Sequence, residues 1–498
     1  MCSRRSTTSM PTQASRSCRS TGRMCLPLST STGMDSQRLW MFSVWSIRST
    51  RHQGPVRGKT PRKTARSIRF LPKVISVSMD WRPIQSPVGT DAGKTQVNGL
   101  FETLEMQPMT IRKPLSARAW ICLSIGWLLG MDLLSESRQG CVGQEPTAPV
   151  GATLEVRPED RNLRLHQIQV IGTHNSYHLA PAPEIMSLIG LTGKSVVEAI
   201  DYSHPNLETQ YGKYGIRQIE LDIYADPDGG LYSQPVGKRL AQQTEPDPRM
   251  AFDFDTLMKR PGTKIIHAPG FDFATHVPTL KMALEQTVAW SKSNPGHLPV
   301  LILLEIKESA TGPAGVKPLK YDRSMLDALD AEIRGCVESR MMVSPDSVRG
   351  EYKTLREAIE TRGWPTLENL CGKIFFALDN TDSLKDRYLE DHDVLQDRVM
   401  FVSVGAEHPA AAWMKINDPI RDFERIQQCV NKGFLVRTRA DSDTQQARKN
   451  DPTQREKAFA SGAQFISTDY PVPDSRWSDY SVQWPDRAVY RRNPITTR

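Results

Sequence analysis

The sequence predicts an α/β chain whose folded part is a (β/α)8 barrel, that is, a TIM barrel. Three observations predict it. Eight short apolar runs recur over about 320 residues, helically spaced segments lie between several of them, and unusual polar residues fall at the C-terminal ends of the runs. The runs are Leu165–Ile171, Ile216–Ile223, Thr263–Ile266, Leu298–Ile306, Lys373–Leu378, Val399–Val404, Gly433–Val436 and Gln464–Ser467. Each is short and rich in Val, Ile, Leu or Phe, as strands buried on both faces are.

Helical spacing fills the gaps. Thr279–Ser291 puts Leu280, Ala283, Leu284 and Val288 on one stripe, and Ser324–Val337 does the same with Leu326, Leu329 and Ile333. Leu355–Arg362 and Ile420–Asn431 continue the alternation, and Gly433 follows the latter as a helix stop. No G-x-G-x-x-G follows the first run, so a dinucleotide-binding sheet has no support.

The regions ahead of the barrel read differently. Residues 1–105 hold 17 Lys/Arg against 5 Asp/Glu, a net of +12, and show no sustained period; a disordered basic extension, or one that is not translated, is expected. The overall charge is +8, so residues 106–498 carry −4. The folded part is mildly acidic, so charge gives no support for a nucleic-acid partner, and none is expected. Residues 106–150 read as a secretory signal: Arg112, Lys113 and Arg118 precede the apolar run Ala119–Met131. Such a signal works only at an N-terminus, so a true start at Met106 or Met109 is expected, and with it export to the periplasm or beyond, free or membrane-associated. Residues 151–498 form the barrel domain, and those after Pro471 read as a capping extension without chemistry. Eight cysteines with no C-x-x-C pair exclude a zinc finger or a disulfide-dense scaffold; the three after residue 150 are expected as buried thiols.

Catalytic groups of such barrels sit at the C-terminal strand ends. The first run leads into Gly172-Thr-His-Asn-Ser176, the second contains Glu220-Leu-Asp222, the third ends at His267, and the fourth ends Leu304-Glu-Ile-Lys307. Glu220 and Asp222 are two apart on a strand and face one side, where two carboxylates need a cation or a shared proton. With Asn175 and Glu305 they make a set of hard oxygens that suits Ca²⁺, and less well Mg²⁺, over zinc. His174 and His267 flank the pair and can act as general base and general acid near neutral pH. His178, four residues after His174 in a loop, reads as incidental. Tyr224, Tyr232, Trp364, Trp413 and Trp477 read as packing residues.

These pieces resemble the catalytic barrel of calcium-dependent phosphoinositide-specific phospholipase C, particularly its bacterial branch. The matching segments are Gly172-Thr-His-Asn-Ser-Tyr177, Gln218-Ile-Glu-Leu-Asp-Ile-Tyr224, Lys264-Ile-Ile-His-Ala268, Val300-Leu-Ile-Leu-Leu-Glu-Ile306 and Arg439-Ala-Asp441. They come in the family's order and span residues 160–470. The resemblance implies that His174 and His267 are the catalytic histidines. It implies Asn175, Glu220, Asp222 and Glu305 as calcium ligands, and Arg439, with Lys307, as phosphate or head-group contacts. It also implies a phospholipid head group at a membrane surface as the partner, with no obligate protein partner. The gap from Asp222 to His267 is 45 residues, and Ile374-Phe-Phe-Ala-Leu378 lacks basic residues that would grip extra phosphates, so the head group stays open. Leu304-Glu-Ile-Lys307 and Thr468-Asp-Tyr-Pro471 also look like a glycerophosphodiester phosphodiesterase. Against that reading, His174 is followed by Asn where that family has Arg. A barrel without activity that binds lipid or sugar is the remaining alternative, and the presence of both histidines counts against it.

Overall fold

A computed structural model describes residues 155–309 and 315–497. The 1–105 extension and the 106–150 signal segment lie outside the described residues. Eleven strands are described: β1 (Ile168–Thr173), β2 (Gln218–Tyr224), β3 (Lys264–Ile265), β4 (Val300–Ile306), β5 (Met342–Val343), β6 (Ile374–Leu378), β7 (Met400–Val402), β8 (Trp413–Lys415), β9 (Leu435–Arg439), β10 (Phe465–Thr468) and β11 (Tyr490–Arg492). Eight of them follow one another in parallel around the barrel, in the order β1-β2-β4-β6-β7 and β8-β9-β10-β1, and the two-residue β5 adds in parallel beside the start of β6. The two arcs meet where Ser403 bridges Trp413, and Ser403 Oγ accepts the Lys415 N–H at 2.9 Å. The parallel strands thus form a (β/α)8 barrel.

One expected strand needs correction, and one barrel strand was not expected. The run at Thr263–Ile266 does not enter the barrel: β3 pairs antiparallel with the end of β2, Ile223 against Ile265, while β2 pairs directly with β4. The eighth barrel strand is instead β8, which the sequence reading missed. It is three residues long, and the turn from β7 reaches it with no helix between, so neither its length nor an alternation of patterns marked it.

Both faces of β2 are buried. Ile219, Leu221 and Ile223 are fully enclosed, and so are Glu220 and Asp222, which excludes a half-solvated edge strand. The expected helices are present. Leu280–Ser293 is capped by Thr279, whose hydroxyl accepts the Met282 N–H. It buries Leu280, Ala283, Leu284 and Val288, and each large apolar side chain so buried contributes about 1.5–3 kcal/mol. Arg323–Cys336, Leu355–Thr361 and Phe423–Asn431 follow, and Gly433 ends the last at φ +85°. Among the described residues no helix is long and apolar enough to cross a membrane.

The C-terminal extension does more than cap. β11 pairs antiparallel with β1 across Ile168–Val170, along the edge that β2 takes up only from Gly172 onward. Tyr480 donates to Ala440 O at 3.1 Å and to Asp441 Oδ2 at 3.2 Å. The three described cysteines are free; Cys429 is buried, and Cys336 and Cys371 are half-buried rather than buried as expected.

Candidate active site

The C-terminal ends of the strands bring the candidate residues to one mouth. The turn after β1 passes through Asn175 at φ +44°, a left-handed conformation that Asn tolerates better than most residues. Ser176 ties that turn to β2: its N–H donates to Glu220 O, and its hydroxyl accepts the Glu220 N–H, both at 2.9 Å. Gly172 is required for the close approach of β1 and β2, since a Cβ there would stand 2.1–2.7 Å from the Gln218 side chain.

Each histidine is tethered through Nδ1. His174 Nδ1 lies 2.8 Å from Asp469 Oδ1, which leaves Nε2 at 3.8 Å from Glu220 Oε1. Burial pushes the His174 imidazole well below its usual range, and the nearby Arg439 and Arg437 add to this. His267 Nδ1 lies 2.7 Å from Asp272 Oδ2. A tight hairpin, Ala268 paired with Asp272, turns the chain back so that residue 272 reaches residue 267. His178 shares that carboxylate, with Nε2 at 2.9 Å from Oδ1 and Nδ1 at 3.1 Å from Tyr202 O. His178 is therefore not incidental: it packs edge-on to His267 at 5.7 Å. Burial opposes ionisation of Asp272, but His178 and His267 outweigh it and hold the carboxyl far below its usual range.

The acids interlock with basic side chains. Lys307, expected as a phosphate contact, is largely enclosed, its ammonium 2.7 Å from Glu305 Oε1 and 3.1 Å from Asp222 Oδ2. One ammonium between two carboxylates cannot fully neutralise both. Burial pushes Asp222 up to about 7 despite Lys307, whereas in Glu305 the opposing burial is outweighed by Lys307 and Lys415, which hold it at about 2. Glu220 pairs with Arg437, yet burial still raises it, with Asp379 and Glu305 adding to the rise. Arg439 Nη2 stands 3.3 Å from Asp469 Oδ2 and 3.4 Å from His174 Nδ1, and its Nε donates to Asp441 O.

The oxygens fit a calcium ion. Glu220, Glu305 and Asp379 each bring one oxygen within 4.8 Å of the others, and ligands at 2.3–2.6 Å from one ion are no more than about 5 Å apart. The buried Oδ1 atoms of Asn175, Asp222 and Asp379 have no hydrogen-bond partner, which in an interior is costly unless something else meets them. His178, His267 and Asp272 also cluster, but there both His178 nitrogens and His267 Nδ1 already meet a carboxylate or a carbonyl.

Sequence reasoning missed Asp272, Asp379, Asp469 and Arg437 as site residues. Asp379 directly follows β6, Arg437 lies within β9, and Asp469 directly follows β10; their position was the available signal. Asp272 was marked only by the Pro269-Gly270 turn that folds it back.

Fold and mouth together describe a barrel hydrolase suited to acid–base work beside a cation. The sequence then settles which one: residues 163–494 match the family model of Ca²⁺-dependent phosphoinositide phospholipase C, and the chain belongs to that family of phosphodiesterases. Calcium is the family's ion. Among solved structures, the chain is similar to the calcium-dependent phosphoinositol-specific phospholipase C of a Pseudomonas species, at 14% identity over 69% of this chain and 99% of that one, with a TM-score of 0.41. It is also similar to the Ca²⁺-dependent phosphatidylinositol-specific enzyme of Streptomyces antibioticus, at 15% identity over 62% of this chain and 95% of that one, with a TM-score of 0.37. No curated protein matches it.

Proposed function

We propose that the chain cleaves a phosphatidylinositol-like glycerophospholipid at the bond between diacylglycerol and phosphate, with His174 and His267 as its acid–base pair. The observation that carries this reading is the paired tether: at one mouth, two histidines each have Nδ1 held by a buried aspartate. A tether at Nδ1 leaves Nε2 as the atom that exchanges a proton with substrate.

The inositol 2-hydroxyl attacks phosphorus and gives its proton to His174 Nε2. The bond from phosphorus to the diacylglycerol oxygen breaks, and that oxygen takes a proton from His267 Nε2. The products are a cyclic inositol phosphate and diacylglycerol. Asn175, Glu220, Asp222 and Glu305 would hold calcium, which when bound supplies positive charge beside the phosphoryl oxygen. Arg439, with its outer nitrogen beside His174, meets the phosphate or the head group. Lys307 orders Asp222 and Glu305 in addition to any contact with phosphate. Export, and access to lipid at a membrane surface, belong to the same proposal; N-terminal sequencing of the secreted protein tests whether the signal segment at residues 106–150 is removed.

Leaving-group dependence tests the assignment of His267. The H267A variant is expected to lose about 10²- to 10⁴-fold in kcat on phosphatidylinositol. It should lose far less on an aryl inositol phosphate, whose phenolate leaves without a proton. Equal losses on both substrates would remove His267 from the acid role. Turnover of glycerophosphodiesters in place of phosphatidylinositol would move the chain to the competing substrate class.

A further inference from the structure

The calcium reading rests on four side chains on or just after β1, β2 and β4, but a converging group of carboxylate oxygens in the barrel includes one from the residue after β6. Asp379, directly after β6, is 1% exposed, and its Oδ1 has no hydrogen-bond partner. Its Oδ2 takes the ammonium of Lys415, which β8 delivers from just beyond β7. One carboxylate oxygen is therefore neutralised and the other is left over. With Glu220 and Glu305, Asp379 forms the group whose oxygens lie within 4.8 Å of one another, and Asp222 is not in that group.

The local structure fixes this arrangement. The Asp379 N–H donates to Leu304 O at 2.9 Å. The next residue, Asn380, grips Ile306 from both sides: its Oδ1 accepts the Ile306 N–H at 2.8 Å and its Nδ2 donates to Ile306 O at 3.0 Å. Glu305 and Asp379 are thus held in register by backbone and amide contacts that do not depend on their own charges. When all are ionised, Glu220, Asp222, Glu305 and Asp379 face Lys307, Lys415 and Arg437, which leaves one negative charge in excess. A divalent cation reverses that excess to a single positive charge, the complement of a phosphodiester.

We propose that Asp379 is a fourth carboxylate ligand of the calcium ion, with Lys415 holding its second oxygen aside. This rests on the calcium-dependent reading above and extends its ligand set to β6. The test is calorimetric titration of calcium into chelator-stripped full-length protein, wild type and D379N, with thermal melts in chelator to compare folding. D379N is expected to bind calcium at least about tenfold more weakly while its chelator melt stays close to wild type. Should D379N fold poorly because Lys415 is left unpaired, the double variant D379N/K415M removes both charges and is expected to show the same weakening. Unchanged calcium affinity in either folded variant would overturn the assignment. Failure of the wild type itself to bind calcium would overturn both this inference and the reading beneath it. Weakened binding in D379N combined with no turnover of phosphatidylinositol would uphold the site and reject the substrate.

Discussion

Asp272 serves two histidines at once, and the chemistry assigned to His267 depends on it. Replacing it with Asn leaves a single acceptor oxygen for two ring nitrogens, so the tautomer and orientation of His267 are no longer fixed. The D272N variant is expected to lose at least about tenfold in kcat with little change in KM, because the tether acts on the reacting group and not on lipid binding. A kcat equal to wild type would show that the tether is dispensable. The same scale explains what the sequence concealed. His174, His267 and the Glu-x-Asp pair were legible because they stand on or at the ends of apolar runs. Asp272 reaches His267 only through a hairpin, and Asp469 reaches His174 only once the last strand lies beside the first. Contacts made by closure of the chain on itself have no local signature.

At the scale of elements, β1 and β2 set the site, and their spacing depends on Gly172. An added methyl group would meet Gln218 near its Cβ, at 2.7 Å, and at its Oε1, at 2.1 Å. Gln218 is fully buried and donates to Thr173 O at 3.0 Å, so it has no room to withdraw. The G172A variant is expected to be less stable by roughly 1–3 kcal/mol in urea unfolding, as overpacking of a filled interior costs; unchanged stability would mean that the two strands can separate freely. Most barrel strands were readable because each is a run buried on both faces. The mistaken choice of Thr263–Ile266 has a physical cause: a β-rich segment forms a strand wherever an edge is open, and the end of β2 offers one. Pattern states that a segment pairs, but not with which edge or in which direction. Lys415, which balances Asp379, was invisible for the same reason that β8 was.

At the scale of the whole molecule, buried neutral histidines set the response to acid. His297 and His204 are both enclosed, and burial lowers each to about 4; in the unfolded chain a histidine titrates near 6.5. Their contribution to stability is complete above about pH 6.5 and is lost as pH falls from there toward 4, because only the unfolded state gains the proton readily. The melting temperature is therefore expected to fall across that window, and to fall less steeply in H297N. A slope that is the same in both proteins would remove His297 from the account. Calcium is expected to raise the melting temperature, since an ion held by the folded barrel alone stabilises it by about 2.7 kcal/mol at a hundredfold excess over Kd. The most direct test of the central claim, that tethered histidines at a calcium-binding mouth drive an intramolecular phosphoryl transfer, is a ³¹P NMR time course on phosphatidylinositol vesicles with calcium and with chelator. The account predicts that the resonance of a five-membered cyclic inositol phosphate appears first, only with calcium, and disappears from the course in H267A. A linear phosphate monoester as the first product, or the same rate in chelator, would contradict it.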